Sequence, residues 1–534
     1  MKSAVFLFAD EMSDYGFSRD FGGKSAFELC LLWAGKYSRA GKVAVAVTSH
    51  NIKMVEESAA SSGVDVEIIC IEKWDTKTLV LEMAKFASRC GCDYVLYSHG
   101  DRPFINDDLT NQIIQCHEKY VAEYTFQDGY PQGLAPEAIN CGTLSILSTL
   151  ASDEKNNAGI LPVTNESIFN VLKTDINSFE VETVIAPKDY RMLRLNFSCT
   201  EKRNYQCCKA LWKKAEGIKN IDAGTLSDMA SGMTEVHMTL PAYYEVQISA
   251  NVNTVSSFSP YPAFFREKFN VDPFATSNKE NTIMALDKFS EIVRQISEFS
   301  DDAVVSLSPF GEPFLNENID LYIEEVLKYP HLKVLVETDG TLVTEENALK
   351  IRKSVEKCGR SEKDVTFIVM IDSVSADMYS KLNLNGNFAS CFNSVGILAA
   401  YFPETYPQFT RMKDNESELE SFFRFWRDKN SPSRGKVIIQ KYNSYCGKLP
   451  DKKSADLSPL ERNVCWHLKR DMIILFDGTV PLCRQWGFGN IQGNAFSEKI
   501  CDIWNKRENM IRNHIDSNYG DFCGACDEFY TFNF

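Results

Sequence analysis

Positive charge is scarce in this chain: 57 Lys and Arg stand against 73 Asp and Glu, a formal net charge of −16 over 534 residues. No block of basic residues offsets that balance, so the sequence argues against a polyanion-binding surface and against nucleic acid as a partner. Long hydrophobic runs are missing as well. No stretch approaches the roughly 18 apolar residues that a membrane-spanning helix needs. No secretory signal is expected, because the apolar run at residues 4–9 meets acidic Asp10-Glu11 with no small-residue cleavage site. That run reads as a buried first strand.

What the chain does hold is cysteine, 17 residues of it. Without an export signal, this points to a reducing cytoplasm in which thiols stay free or bind metal. Hydrophobic content of 44% permits ordinary packed cores, and 534 residues permit two or three domains.

The cysteines near the C-terminus are patterned. Cys465 is followed by a short apolar strand at 473–476, the turn pair Asp477-Gly478, and a returning strand at 480–483 that ends on Cys483. Cys465 and Cys483 are therefore expected to face each other across a hairpin. Cys523-Gly524-Ala525-Cys526 completes a set of four thiolates, enough for a [4Fe-4S] cluster or a zinc ion. Scattered buried thiols are the plainer alternative, since free cysteine is a common core residue. Cys446 precedes the set as a spare candidate ligand. Cys501 fits neither the spacing nor the pattern, and Cys90-Gly91-Cys92, Cys199, Cys207 and Cys208 read as structural thiols.

The spacing Cys465, Gly478, Cys483, with Gly489-Asn490, Asp502-Ile503-Trp504 and Cys523-x-x-Cys526 after it, resembles the SPASM domain of radical S-adenosylmethionine enzymes. The resemblance implies one auxiliary [4Fe-4S] cluster held by Cys465, Cys483, Cys523 and Cys526. The further cysteines of the two-cluster version are not found in the eight residues after Cys526.

Residues 1–215 alternate strands with helices, which implies a mainly parallel sheet whose strand ends carry the ligand site. Arg19, Gly22, Gly23 and Lys24, before a helix starting near Ser25, offer positive charge, close backbone approach and free amides for a phosphate. Asp101, after the fourth strand, is a candidate carboxylate for Mg²⁺. With Gly100-Asp101-Arg102-Pro103 and the run 128–137, these features resemble the nucleotidyltransferase and glycosyltransferase (GT-A-like) fold of the sugar cytidylyltransferases. The resemblance implies a nucleotide or nucleotide-sugar ligand and Mg²⁺. Ser198 stands where that family has a second metal-binding Asp, which puts turnover in question because a hydroxyl is a poor hard ligand.

Residues 216–239 read as a linker with some local helix, and 240–445 as a second α/β unit. Gly311-Glu312-Pro313 after a strand resembles the motif by which radical S-adenosylmethionine barrels hold the cofactor's amino group. The loop after the first strand departs from that family. Its three cysteine positions are Val252, Ser256 and Ser259. Cleavage of S-adenosylmethionine needs three thiolates there, so this cofactor is not expected.

Residues 446–534 form the SPASM segment. The full order resembles a spirochaete protein family that joins a nucleotidyltransferase-like region, a degenerate radical-SAM-like partial (β/α) barrel and a small cysteine-rich SPASM domain. Three functions remain open: a cytoplasmic one-cluster iron-sulfur protein with a nucleotide- or sugar-binding domain and a redox partner protein, a Mg²⁺-dependent nucleotidyltransferase with a regulatory cluster, and a non-catalytic scaffold with a structural cluster or zinc.

Overall fold

In the computed structural model we describe residues 1–10, 12–152, 157–218, 221–270, 272–274, 282–456, 458, 459 and 461–530. Glu11, within the first candidate phosphate loop, and residues 219 and 220 of the expected linker lie outside that set. The chain divides into two compact units, Met1–Thr239 and Leu240–Phe534.

The first unit holds a seven-stranded sheet. Its strands are β1 (Ser3–Phe8), β2 (Val43–Val47), β3 (Glu67–Cys70), β4 (Tyr94–His99), β5 (Tyr124–Asp128), β6 (Glu137–Asn140) and β7 (Val181–Ile185). Their order is β3-β2-β1-β4-β6-β5-β7, with β1 to β4 parallel and β6 antiparallel to both its neighbours.

Alternation along β1 explains why every one of its residues is buried. Val5 and Leu7 join Phe27, Leu31 and Trp33 in one core, while Ala4, Phe6 and Phe8 join Leu79, Met83 and Phe86 in the other. A strand covered on both faces is a continuous apolar run, as the sequence showed. β1 lies between β2 and β4, so the chain's winding reverses there, the position at which parallel sheets usually place a ligand. Residues 216–239, expected as a linker with some local helix, carry helices Ala223–Ser231 and Thr234–His237, whose Leu226, Ala230 and Val236 are part of the first unit's core.

The second unit is a partial barrel. Strands β8 (Tyr243–Val246), β10 (Ala303–Ser306), β11 (Leu332–Thr338), β12 (Val365–Met370), β14 (Thr405–Arg411) and β15 (Ile438–Lys441) pair in parallel in that order. Helices such as Leu286–Ser300, Ile319–Leu327 and Glu345–Lys357 connect them. Two short strands, β9 (Val255–Ser256) and β13 (Asn383–Leu384), pair antiparallel outside this sheet.

The C-terminal hairpin differs from expectation. Strand β16 (Asp471–Ile474) pairs in parallel with β8 and becomes the seventh strand of the barrel sheet. The turn after it exists, closed by the Leu475 amide donating to the Thr479 carbonyl at 2.8 Å. The returning strand, β17 (Thr479–Pro481), instead pairs antiparallel with β18 (Ile491–Asn494). Burial explains the choice: all four residues of β16 are buried, and the open edge of β8 satisfies their backbone groups.

Candidate metal centre

Parallel strands deliver their carboxyl ends to one face, and here those ends ring a cavity of about 280 Å³. Glu245 comes from β8, Gly311 and Glu312 from the loop after β10, Asp339 from the end of β11, and Asp372 from the end of β12. Val252, Ser256 and Ser259 line the same cavity, as do all four thiol candidates, Cys465, Cys483, Cys523 and Cys526. The fold thus brings the substituted loop and the cysteines, more than 200 residues apart, to one cavity.

Each thiol is placed by local structure. Cys465 caps the one-and-a-half-turn helix Trp466–Arg470, and its amide donates to His514 Nδ1 at 3.4 Å. Cys483 follows β17, where the Leu482 amide donates to the Asn490 carbonyl at 3.0 Å. Cys523 sits in the short helix Gly520–Ala525, and Cys526 just after it. Arg462 pins that pair by donating to the Cys523 carbonyl at 2.6 Å and the Cys526 carbonyl at 3.3 Å. Its guanidinium lies 4.2 Å from the Tyr519 ring centroid and 4.3 Å from that of Phe529. Trp486 stacks on Phe522 at 3.7 Å between centroids, next to Cys523.

Electrostatics shows how crowded these thiols are. Burial pushes Cys465 up to about 12, with the neighbouring Cys526 thiol adding to the rise. Burial, then the charges of Cys465 and Cys526, holds Cys483 well above the usual thiol range. Four thiolates cannot share such a space unless positive charge lies among them.

The segments that carry the cysteines also hold buried donors without acceptors. Among the described residues, His514 Nε2, Trp486 Nε1 and Arg462 Nε have no hydrogen-bond partner. With His514 Nδ1 accepting from Cys465, its Nε2 carries the proton. Soft thiolates ringed by N–H donors suit a group that presents sulfide and thiolate acceptors. Among the described residues, no three His, Cys, Asp or Glu side chains close on a single point as a mononuclear site requires.

The Gly311-Glu312-Pro313 segment is locked from within. Glu312 accepts from Thr338 Oγ1 at 2.8 Å, the Phe314 amide at 3.0 Å and the Asp339 amide at 2.9 Å. Burial, then the Asp339 charge, raises its carboxyl well above the ordinary range. Asp339 in turn accepts from Thr254 Oγ1 at 2.8 Å, which ties the substituted loop to β11. Arg484, directly after Cys483, reaches Glu245 at 3.4 Å and Glu337 at 3.3 Å.

In the first unit the candidate phosphate groups are largely engaged. Arg19 donates to Glu28 Oε1 at 2.6 Å and to Ser61 at 2.9 Å. Ser25 and Glu28 form a reciprocal capping box at the start of helix Ala26–Tyr37, at 2.8 and 3.1 Å. Phe21 to Lys24 is a tight turn, with Gly22 and Gly23 at φ +63° and +79°, and it leaves the Lys24 side chain exposed. Asp101 is buried and accepts from the Cys199 amide at 3.2 Å and from Thr200 Oγ1. Ser198 lies next to that contact and is itself buried.

Arg462, Arg484 and His514 were not marked in the sequence. They are isolated polar residues without periodicity, and only Arg484 carried a hint, its place beside Cys483.

Residues 465–527 match the SPASM family, an iron-sulfur cluster-binding domain. An uncharacterized protein of Treponema pallidum (strain Nichols) is 36% identical over 375 residues, spanning 69% of this chain and 98% of that protein. The spore coat polysaccharide biosynthesis protein SpsF of Bacillus subtilis (strain 168) is 24% identical over 127 residues, 24% of this chain and half of that protein, 50%. Among solved structures, BtrN in complex with AdoMet and 2-DOIA has 17% identity and a TM-score of 0.34, covering 54% of this chain and 94% of that one.

Proposed function

Since the chain belongs to the spirochaete family of SPASM-domain proteins, we propose that it is a cytoplasmic iron-sulfur protein with one [4Fe-4S] cluster and no S-adenosylmethionine cleavage. Cys465, Cys483, Cys523 and Cys526 would hold that cluster, which supplies one-electron chemistry when bound. One observation carries the reading: all four thiols line one cavity together with Val252, Ser256 and Ser259. A valine and two neutral serines are not ligands for a second cluster. The barrel's carboxyl-end cavity therefore opens onto the C-terminal cysteines alone.

The protein's own residues set the conditions there. Arg462 fixes the carbonyls of the Cys523-x-x-Cys526 turn, and His514 and Trp486 carry buried N–H groups without a hydrogen-bond partner among the described residues. Arg484, next to Cys483, pairs with Glu245 at 3.4 Å and Glu337 at 3.3 Å and so ties the thiol segment to the barrel strands. A ligand seated on that floor would exchange electrons with a redox partner protein by way of the C-terminal site.

The first unit, in this reading, binds a nucleotide or activated sugar without Mg²⁺-dependent turnover. The reversal of strand order between β1 and β4 and the exposed Lys24 support binding. Asp101, already engaged by Cys199 and Thr200 and with Ser198 beside it, argues against a two-carboxylate metal site.

The test is anaerobic purification with iron, sulfide and zinc analysis, and EPR after dithionite reduction, on wild type and Cys523→Ala. About four irons per chain, lost in the variant, is the expected result. About eight irons, or zinc without iron, would overturn the reading.

A further inference from the structure

The centre holds a fifth thiol. Cys446 lies beyond β15, outside the Cys465–Cys526 spacing, yet its thiol contacts that of Cys526 and feels the charges of Cys483 and Cys523.

The placement is built by several cross-links. Lys441, at the end of β15, donates to the Asp527 carbonyl at 3.0 Å and pairs with the Glu528 carboxylate. Lys453 pairs with Asp527. The Lys448 ammonium sits 4.4 Å from the Phe264 ring centroid and 5.7 Å from that of Phe522. These contacts lay residues 441–453 along residues 522–528. The turn between them is unusual: Tyr445, Cys446 and Gly447 are all left-handed, at φ +51°, +56° and +80°. Two successive non-glycine residues in that region cost about 1 kcal/mol or more each and persist only where surrounding contacts impose them.

A cubane cluster has four irons, each taking one thiolate, so five thiols leave one in excess. We propose that Cys446 and Cys526 are alternative ligands of the same iron. This inference rests on the iron-sulfur reading above. In the exchange, the iron–sulfur bond to Cys526 breaks as one to Cys446 forms, and the Cys446 thiol proton passes to the departing Cys526 thiolate. No electron moves. The Cys446 thiol's contact is with Cys526, so the loss of Cys465 or Cys483 is not compensated.

The experiment compares iron, sulfide and the reduced EPR spectrum in wild type, Cys446→Ala, Cys526→Ala, the double variant and Cys465→Ala, each purified anaerobically. The wild type and both single variants at 446 and 526 should keep about four irons per chain, and the double variant should fall to the level of Cys465→Ala. Iron loss in Cys526→Ala equal to that in Cys465→Ala overturns the proposal, as does loss in Cys446→Ala alone. Cys526→Ser, which preserves side-chain size, and far-UV circular dichroism separate ligand loss from misfolding. A wild type without iron sinks the cluster reading itself, before the ligand exchange is at issue.

Discussion

The carboxylate of Asp101 accepts a hydrogen bond from the amide of Cys199 at 3.2 Å, joining the loop after β4 to a segment 98 residues later. The residue the sequence offers as a metal ligand is thereby a clamp between two loops. Asp101→Ala keeps the Cys199 amide's bond to the Asp101 main-chain carbonyl at 2.9 Å and removes the carboxylate's bonds to that amide and to Thr200 Oγ1, a cost of about 1–3 kcal/mol in the first unit, read by urea unfolding. Mg²⁺ should leave nucleotide affinity unchanged in calorimetry. A Mg²⁺-dependent gain that disappears in the variant would restore the nucleotidyltransferase alternative.

Asp372 makes a pH prediction. Burial raises its carboxyl from 3.8 to about 6, against hydrogen bonds from Thr410, whose amide donates at 2.6 Å. Between those values the folded state keeps a proton that the unfolded chain has released, so the native form binds more protons. Stability from this group is present at low pH and is lost as pH rises through about 6. Asp372→Asn should remove that slope, a difference on the order of 2–3 kcal/mol between the acid and neutral limits. Urea unfolding of the second unit, wild type against variant at two pH values, measures it. Parallel curves would count against the assignment.

Gly311 tolerates no side chain. A Cβ there would fall 1.8 Å from the Ser249 carbonyl oxygen, and that oxygen is backbone and cannot swing aside. Gly311→Ala should push the loop off Ser249 and cost about 3 kcal/mol or more, seen as a lowered melting temperature or insoluble protein. A variant that melts with the wild type would mean that the loop does not pack as described.

Arg462 should govern how long the C-terminal site keeps its iron. Its guanidinium spans the Cys523 and Cys526 carbonyls and lies against Tyr519 and Phe529. Arg462→Met keeps the length of the side chain and loses the donors. Iron release to a chelator should quicken by about tenfold, the rate equivalent of one charged hydrogen bond, while circular dichroism stays the same. Unaltered release would leave Arg462 a packing role only.

Strand identity was largely legible in the sequence because buried parallel strands have no polar face to hide. The run at 4–9 became β1, residues 43–47 became β2, and the strand ends at 304–307, 333–337 and 365–371 fall on β10, β11 and β12. The C-terminal hairpin was harder to read. Its apolar segment at 473–476 suits a hairpin arm and a barrel edge equally well, and only the unfilled edge of β8 decides for the barrel. At 223–237 the small, polar composition suggested only some local helix in a linker, and the burial of those helices comes from the partners they meet.

By itself the sequence determined what chemistry is affordable: four patterned cysteines at one end, and no thiol at Val252, Ser256 or Ser259. Ligand type is a covalent property, fixed before folding. The tertiary structure alone decided who meets whom. It put those two stretches around one cavity, closed Asp101 onto Cys199 and carried Cys446 to Cys526. Such meetings depend on strand order and loop closure over tens to hundreds of residues, and local residue patterns do not encode them.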